Sequence, residues 1–329
     1  MKVLVTGGNG FLGSRIVERL IARGDDVTVF ARSRNPKPET RNPCWVMGDI
    51  REAKTLTDAI ATQDAIIHTA AKAGVWGKRD EYFGINLTGT RNVLAACQKQ
   101  GVRKLIYTST PSVVFGDKPL ENADESTPYA TRFLTHYVES KRLAEEEVLA
   151  ANGVAGVATV AMRPHLIWGG GDPHLVPRVL ARAKAGKLRR VGDGSNKVDI
   201  THVDDAADAH VLALDSKNKA AGKAYFIASE TVNLWDWIGQ VLKRAGLAPV
   251  VKSVSRATAY RAGAMMEFFY SLIGLRGEPP MTRFVAENLA TSHYFNISSA
   301  RRDLGYAPKR TGTAALDELF AKTVVETTV

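Results

Sequence analysis

The stretch Val3-Leu4-Val5-Thr6-Gly7-Gly8-Asn9-Gly10-Phe11-Leu12-Gly13 carries an apolar strand into a glycine turn and on into Ser14 to Ala22, a segment patterned as a helix. Gly7 permits a tight turn, Gly10 lets backbone approach a ligand with no Cβ in the way, and Gly13 lets the helix pack closely on the strand. The free N–H groups and positive dipole end of that helix then face any anion in the turn. Glycine turns between strand and helix also occur with no ligand. With a strand before it and a helix after it, this one reads as a pyrophosphate cradle.

Outward from the turn, strand and helix patterns alternate. They predict an α/β chain: a Rossmann-type doubly wound parallel sheet over 1–167, with 198–222 returning to it, and a smaller C-terminal α/β substrate domain over 168–329. The 329 residues, 45% hydrophobic and 24% charged, suit a globular chain with a substantial core. The net charge of +10 favours anionic partners, but the lysines and arginines are scattered. Arg189-Arg190 and Arg301-Arg302 are the densest pairs and no aromatics interleave them, so no nucleic-acid partner is expected. Cys44 and Cys97 are the only cysteines, which excludes a disulfide framework and fits a reducing, cytoplasmic setting. No signal-peptide pattern precedes the first strand. The seven histidines show no metal spacing and no Cys-x-x-Cys occurs, so no metal is expected.

The second strand, Asp26 to Phe30, decides the cofactor. An NAD site places Asp or Glu at its end to bond the ribose 2′-hydroxyl. Here Ala31 stands there, followed by Arg32 and Ser33. With no carboxylate to repel a 2′-phosphate, and an arginine able to pair with it, NADP(H) is expected over NAD(H). After the strand Cys44 to Met47, Asp49 beside Ile50 reads equally as an acceptor for the adenine amino group or as a cap for the helix near Glu52. The strand Ala65 to Thr69 opens into Ala70 and Ala71, small residues that let a cofactor lie against strand ends. Asn86 reads as the start of a helix running to Gln100, and a helix-start Asn is more often structural.

Lys104 to Thr110 is a strand that ends in three hydroxyls, Thr108, Ser109 and Thr110, at the edge where open α/β sheets bind ligands. Tyr137 and Lys141 follow on one helix, and a spacing of four puts phenol and ammonium on one face. A nearby cation lowers a phenol's pKa, so the lysine is expected to prime the tyrosine. Farther on, Ala262, Met265, Met266, Phe269, Leu272 and Ile273 recur at helical spacing. That stripe reads most simply as a packed face, with a lid over long alkyl chains as a second reading. A weak membrane-surface contact is the third, set against it that Arg261 and Arg276 flank the stripe without a basic face along it. The tail after Lys322 is expected to fray.

Thr6-Gly7-Gly8-x-Gly10-x-x-Gly13, Tyr107-Thr-Ser-Thr110 and Tyr137-x-x-x-Lys141 resemble the extended short-chain dehydrogenase/reductase superfamily. Tyr107 to Val114, Arg163 to Gly169 and Phe295 to Tyr306 are similar to its 3β-hydroxysteroid dehydrogenase group. Ala70 to Trp76, Val191 to Asp199 and Leu275 to Phe284 resemble a bacterial branch that reduces 2-alkyl-3-oxoalkanoates in long-chain olefin biosynthesis. The resemblance implies an oxidoreductase acting on a large apolar ketone or alcohol. Tyr137 would be acid/base, Lys141 its electrostatic partner and ribose ligand, and Thr110 would stand at the usual serine position, with Ser109 the other candidate. It further implies that Phe11 and Leu12 lie in the cradle, that Pro164 and Ile167 run along the nicotinamide, and that copies pair as a homodimer through helices flanking the tyrosine. A steroid or a nucleotide sugar stays open as substrate. For a substrate carboxylate, Arg178 or Lys197 are the cations considered.

Overall fold

The computed structural model describes residues 1–34, 43–116, 118–217, 219–275 and 277–326, with side chains through 321. Seven strands form one parallel sheet: β1 (Lys2–Thr6), β2 (Asp26–Ala31), β3 (Cys44–Met47), β4 (Ala65–His68), β5 (Lys104–Thr108), β6 (Ala158–Pro164) and β7 (Lys223–Ile227). Their spatial order is 7-6-5-4-1-2-3. The order reverses between β1 and β4, and at such a switch point the loops leaving neighbouring strands part to open a crevice.

Alternation along each strand feeds two cores. Val3 and Val5 point to one face, where they meet Leu12, Ile16 and Leu20 of α1 (Phe11–Ala22). Leu4 points to the other face, with Leu56 and Ile60 of α2 (Ala53–Ile60), Val93 and Cys97 of α3 (Gly89–Gln100), and Ala144 and Val148 of α4 (His136–Ala150). A fifth helix, α5 (Val203–Asp215), packs beside α1, using Val203, Ala206 and Ala209. A sheet covered on both faces explains why its strands read as near-continuous apolar runs.

The smaller sheet has the order 230–233, 197–202, 293–295, 120–123, with 167–168 pairing against 197–202. It therefore takes one strand, Leu120–Ala123, from the amino-terminal half of the chain. The segment 197–202 belongs to this sheet, so the chain re-enters the large layer at Val203, not at 198, and supplies β7 before leaving it.

The apolar stripe departs from its simplest reading. On α6 (Arg256–Leu272) the buried residues are Ala259, Gly263 and Glu267, while Met265, Phe269, Leu272 and Ile273 are more than half exposed. Gly263 sets the contact: a Cβ there would stand 2.6 Å from the carbonyl carbon of Thr282, so α6 rests its bare backbone on the chain at 282–283. The apolar residues share a face, as their spacing requires, but that face is turned outward. Arg276, at the stripe's far end, lies outside the described residues. Among the described residues no helix is long and apolar enough to cross a membrane. The last helix carries the backbone through Glu326.

Candidate functional site

The site is built where β1, β4 and β5 end. Gly7 adopts φ +68°, and a Cβ on it would stand 2.9 Å from the backbone of Ala70, so the loops after β1 and β4 touch through this glycine. A Cβ on Gly13 would collide with the Gly7 carbonyl, which ties helix to turn. Gly10 caps α1 with no side chain, leaving its first-turn N–H groups uncapped. An anion is the natural partner for such groups.

A cavity of about 360 Å³ opens over this turn and brings together Gly7, Gly10, Arg32, Ser33, Asp49, Ile50, Thr69, Ala70 and Ala71. Phe11, Leu12 and Gly13 follow on α1, where Leu12 faces the core, so only its backbone can serve a ligand. Arg32 is exposed just past β2. Asn9 donates from Nδ2 to the Ser33 carbonyl at 2.9 Å and to its hydroxyl at 3.0 Å, which fixes the loop beside it. The capping role considered for Asp49 is not what the structure contains. Its carboxylate accepts the Arg51 amide at 2.9 Å and the guanidinium at 2.7 Å, while Glu52 occupies the cap of α2. Those bonds hold the Asp49 pKa below the usual carboxylate range, with help from the Arg32 charge.

Asn86 does not start a helix. Helical backbone begins at Arg79, passes through a π-helical turn at Phe83–Thr88 and continues as α3. Inside that turn, Asn86 accepts the Lys72 amide at 2.8 Å and donates to the Lys72 carbonyl and the Ser140 hydroxyl, each at 3.0 Å. It thus fastens the loop after β4 to α4. Widened turns of this kind are frequent at functional sites.

Thr135 caps α4 through its hydroxyl and places Tyr137 and Lys141 on one face. Tyr137 is half-buried, its ring edge-on to Tyr82 with centroids 6.4 Å apart. Its phenol is pushed up to about 12 by burial, against which hydrogen bonding with Thr110 works. The Lys141 ammonium is directed to other partners. The lysine Nζ donates to the Thr108 carbonyl at 2.5 Å and sits 4.1 Å from the Tyr107 ring centroid. Enclosed there, it is pushed down to about 7 by desolvation, with Glu145 opposing. The lysine therefore reports burial, and the tyrosine keeps its proton at neutral pH.

Thr110 is buried and its hydroxyl also accepts the Ser112 amide at 3.3 Å, capping the turn Pro111–Val114. Ser109 is buried as well, and its hydroxyl has no partner among the described residues. An unpaired buried hydroxyl costs stability unless something arrives to bond it. Pro164 ends β6, and Ile167 pairs with Thr201 across the smaller sheet. Leu166 lies between them at φ +39°, a left-handed backbone that non-glycine residues rarely hold.

Three features escaped sequence reading. His68 lies under the site, bonded through Nδ1 to Thr6 Oγ1 at 2.6 Å and through Nε2 to Thr90 Oγ1 at 3.0 Å, and burial pushes it down to about 3. Glu145, fully buried one turn beyond Lys141, takes Arg163 at 2.5 Å and the Tyr129 hydroxyl at 2.7 Å. The run of Tyr137, Lys141 and Glu145 at a spacing of four was the available signal. His165 Nε2 lies 2.7 Å from His293 Nδ1, a contact between residues 128 apart in the chain that no local pattern announces.

The glycine cradle fits a phosphate-bearing cofactor. Side chains at 7 or 10 would fill the space a pyrophosphate takes. Among the described residues no group of three or more metal-ligating side chains forms a metal site. Arg178 pairs with Glu278 at 2.8 Å, and Lys197 is exposed at the head of 197–202. Neither reaches this cavity.

The profile of the 3-beta hydroxysteroid dehydrogenase/isomerase family matches residues 4–253. The chain is 48% identical over 316 residues to a 2-alkyl-3-oxoalkanoate reductase of Stenotrophomonas maltophilia, covering 94% of this chain and 95% of the relative. It is 47% identical to the protein of the same name from Shewanella oneidensis, covering 92% and 81%. Among solved structures, a Thermus thermophilus UDP-glucose 4-epimerase in complex with NAD superposes with a TM-score of 0.74 at 26% identity, covering 98% of each chain.

Proposed function

The chain belongs to the 3-beta hydroxysteroid dehydrogenase/isomerase family and is a nicotinamide-dependent oxidoreductase, and from that premise we propose that it reduces the ketone of a long-chain 2-alkyl-3-oxoalkanoate with NADPH. The two reductases of that name, matched over 95% and 81% of their own lengths, support the substrate class. The observation that carries the mechanism is the meeting of Tyr137 with Thr110 beside the unpaired Ser109 hydroxyl, at the sheet edge next to the glycine cradle. Arg32, next to Ala31 where an NAD site keeps a carboxylate, supports the choice of NADPH.

The turn Gly7 to Gly13 would hold the pyrophosphate, Arg32 and Ser33 the 2′-phosphate, and Asp49 with Ile50 the adenine. Thr69, Ala70 and Ala71 would lie along the middle of the cofactor, and Pro164 and Ile167 along the nicotinamide. Bound there, the cofactor supplies hydride to the ketone carbon. Thr110, with Ser109 as second donor, orients the carbonyl oxygen. Tyr137 gives its proton to the developing alkoxide, and the burial that raises its pKa keeps that proton in place until the oxygen becomes basic. Lys141 sets its charge against the phenolate left behind.

The test follows NADPH and NADH oxidation with a long-chain 2-alkyl-3-oxo acid, a 3-ketosteroid and a nucleotide sugar. The oxo acid with NADPH is expected to turn over fastest, and Tyr137→Phe to lower its turnover by roughly 10² to 10⁴ with NADPH binding unchanged. Turnover of the sugar alone would overturn the substrate, and a Phe variant of near wild-type rate would remove tyrosine from the reaction.

A further inference from the structure

Two cavities flank the segment 132–138 that runs into α4. One, of about 570 Å³, has an apolar wall at Trp76, Leu134 and Phe268 and a polar one that includes Glu139, Glu267 and Arg283. The other, of about 530 Å³, meets it at Phe133 and Leu134 and differs in charge: Lys118, Arg132, Arg256 and Arg283 line it, with Glu287 as its one carboxylate. Arg256 binds that carboxylate at 2.7 Å. Arg283 is held at 2.6 Å by Glu267, a buried residue of α6 that borders the neighbouring cavity. Lys118 and Arg132 have no carboxylate partner among the described residues. His293 on the same wall adds no charge, since burial pushes it down to about 4. Uncompensated positive charge in a concave site focuses its field on an incoming anion.

A 3-oxo acid carries its carboxylate two carbons from the ketone, so the cation that binds it must come from the wall nearest the proton donor. Of the two cations without a carboxylate partner, Arg132 is the nearer to Tyr137 along the chain. It lies five residues before Tyr137 on the segment that divides the cavities, and Val138, next to the tyrosine, lines the same basic space. We propose that the basic cavity is the subsite for the substrate's carboxylate, with Arg132 as its principal ligand and Lys118 as its second, while the apolar wall of the adjoining cavity, at Trp76, Leu134 and Phe268, takes an alkyl chain. Arg178 and Lys197 line neither cavity. The inference rests on the substrate reading given above.

Arg132→Gln, Lys118→Gln and the double variant are assayed with the 2-alkyl-3-oxo acid and with its neutral methyl ester. Both side chains are exposed, so folding is expected to be unaffected, and melting temperature checks this. Arg132→Gln raises KM for the acid about 10- to 100-fold, leaves kcat within about threefold and leaves the ester unchanged, and Arg132→Lys recovers part of the loss. Equal changes for acid and ester, or no change for either, overturn the subsite. A saturated 2-alkyl carboxylic acid, which has no ketone to reduce, is titrated calorimetrically against the matching alcohol. Preference for the acid in the wild type and its loss in Arg132→Gln support the subsite whatever the protein reduces. Turnover of the oxo acid that is indifferent to Arg132 sinks the subsite and leaves the substrate reading standing.

Discussion

Lys141→Met should make the protein more stable while abolishing its turnover. Nζ is enclosed, with about 2% of the residue exposed, and its pKa falls from 10.5 to about 7. Between those pH values the unfolded chain holds a proton that the folded chain releases, so wild-type stability rises with pH across that interval; below about 7 the full penalty is present. At 1.36 kcal/mol for each tenfold change, the interval corresponds to about 5 kcal/mol. Methionine fills similar volume without a charge, but it leaves the Thr108 carbonyl without its 2.5 Å donor, which offsets about half of the gain. The expected net is about 2 kcal/mol of added stability at pH 7, or roughly 4 °C in melting temperature. By pH 9 the wild type has recovered about 2 kcal/mol of its penalty, so the two proteins should converge. Denaturant titrations of both proteins at pH 7, 8 and 9 in one buffer series measure this difference directly. A variant less stable than wild type at pH 7, or a difference that stays constant to pH 9, refutes the idea that Lys141 is a desolvated charge.

Arg32→Ala is expected to raise KM for NADPH about 10- to 100-fold and leave that for NADH unchanged, read from initial rates with each cofactor; parallel changes would dissociate Arg32 from the 2′-phosphate. Glu145→Ala strips the buried Arg163 of its partner and should cost about 3–5 kcal/mol in denaturant titration. His68, His165, His210 and His293 are all pushed below 6.5 by burial. Below pH 6.5 the unfolded chain takes up protons that the folded chain refuses, so each histidine removes stability as pH falls, His210 and His293 at up to about 1.4 kcal/mol per pH unit until pH nears 4. A flat stability profile between pH 6.5 and 4.5 would show that these imidazoles are not held neutral.

What the sequence revealed and what it concealed divide along a physical line. The glycine turn is legible because backbone sterics act within a few residues: Gly7 needs a positive φ and Gly13 needs an absent Cβ, and both needs are written where they are met. Tyr137 and Lys141 are legible as a pair because helical geometry puts them on one face. The same geometry says nothing of where a flexible four-carbon arm then points. Lys141 turns to the Thr108 carbonyl and the Tyr107 ring, contacts made by a strand far off in the chain that helical spacing does not foretell. The apolar stripe fails in the same way. Periodicity establishes that Met265, Phe269 and Leu272 share a face, but whether a partner covers that face is decided elsewhere, by Gly263 admitting the backbone at 282–283 to the opposite side. The cations follow suit. Arg178 and Lys197 were plausible by composition, whereas Arg132 is singled out only once folding pairs Arg178, Arg256 and Arg283 with carboxylates and leaves Arg132 and Lys118 facing a cavity beside the tyrosine's helix. Charge in a sequence is a count, and which charges remain uncompensated is a property of the fold. On the subsite proposed above, that residue of unbalanced charge would select an acid over a neutral ketone.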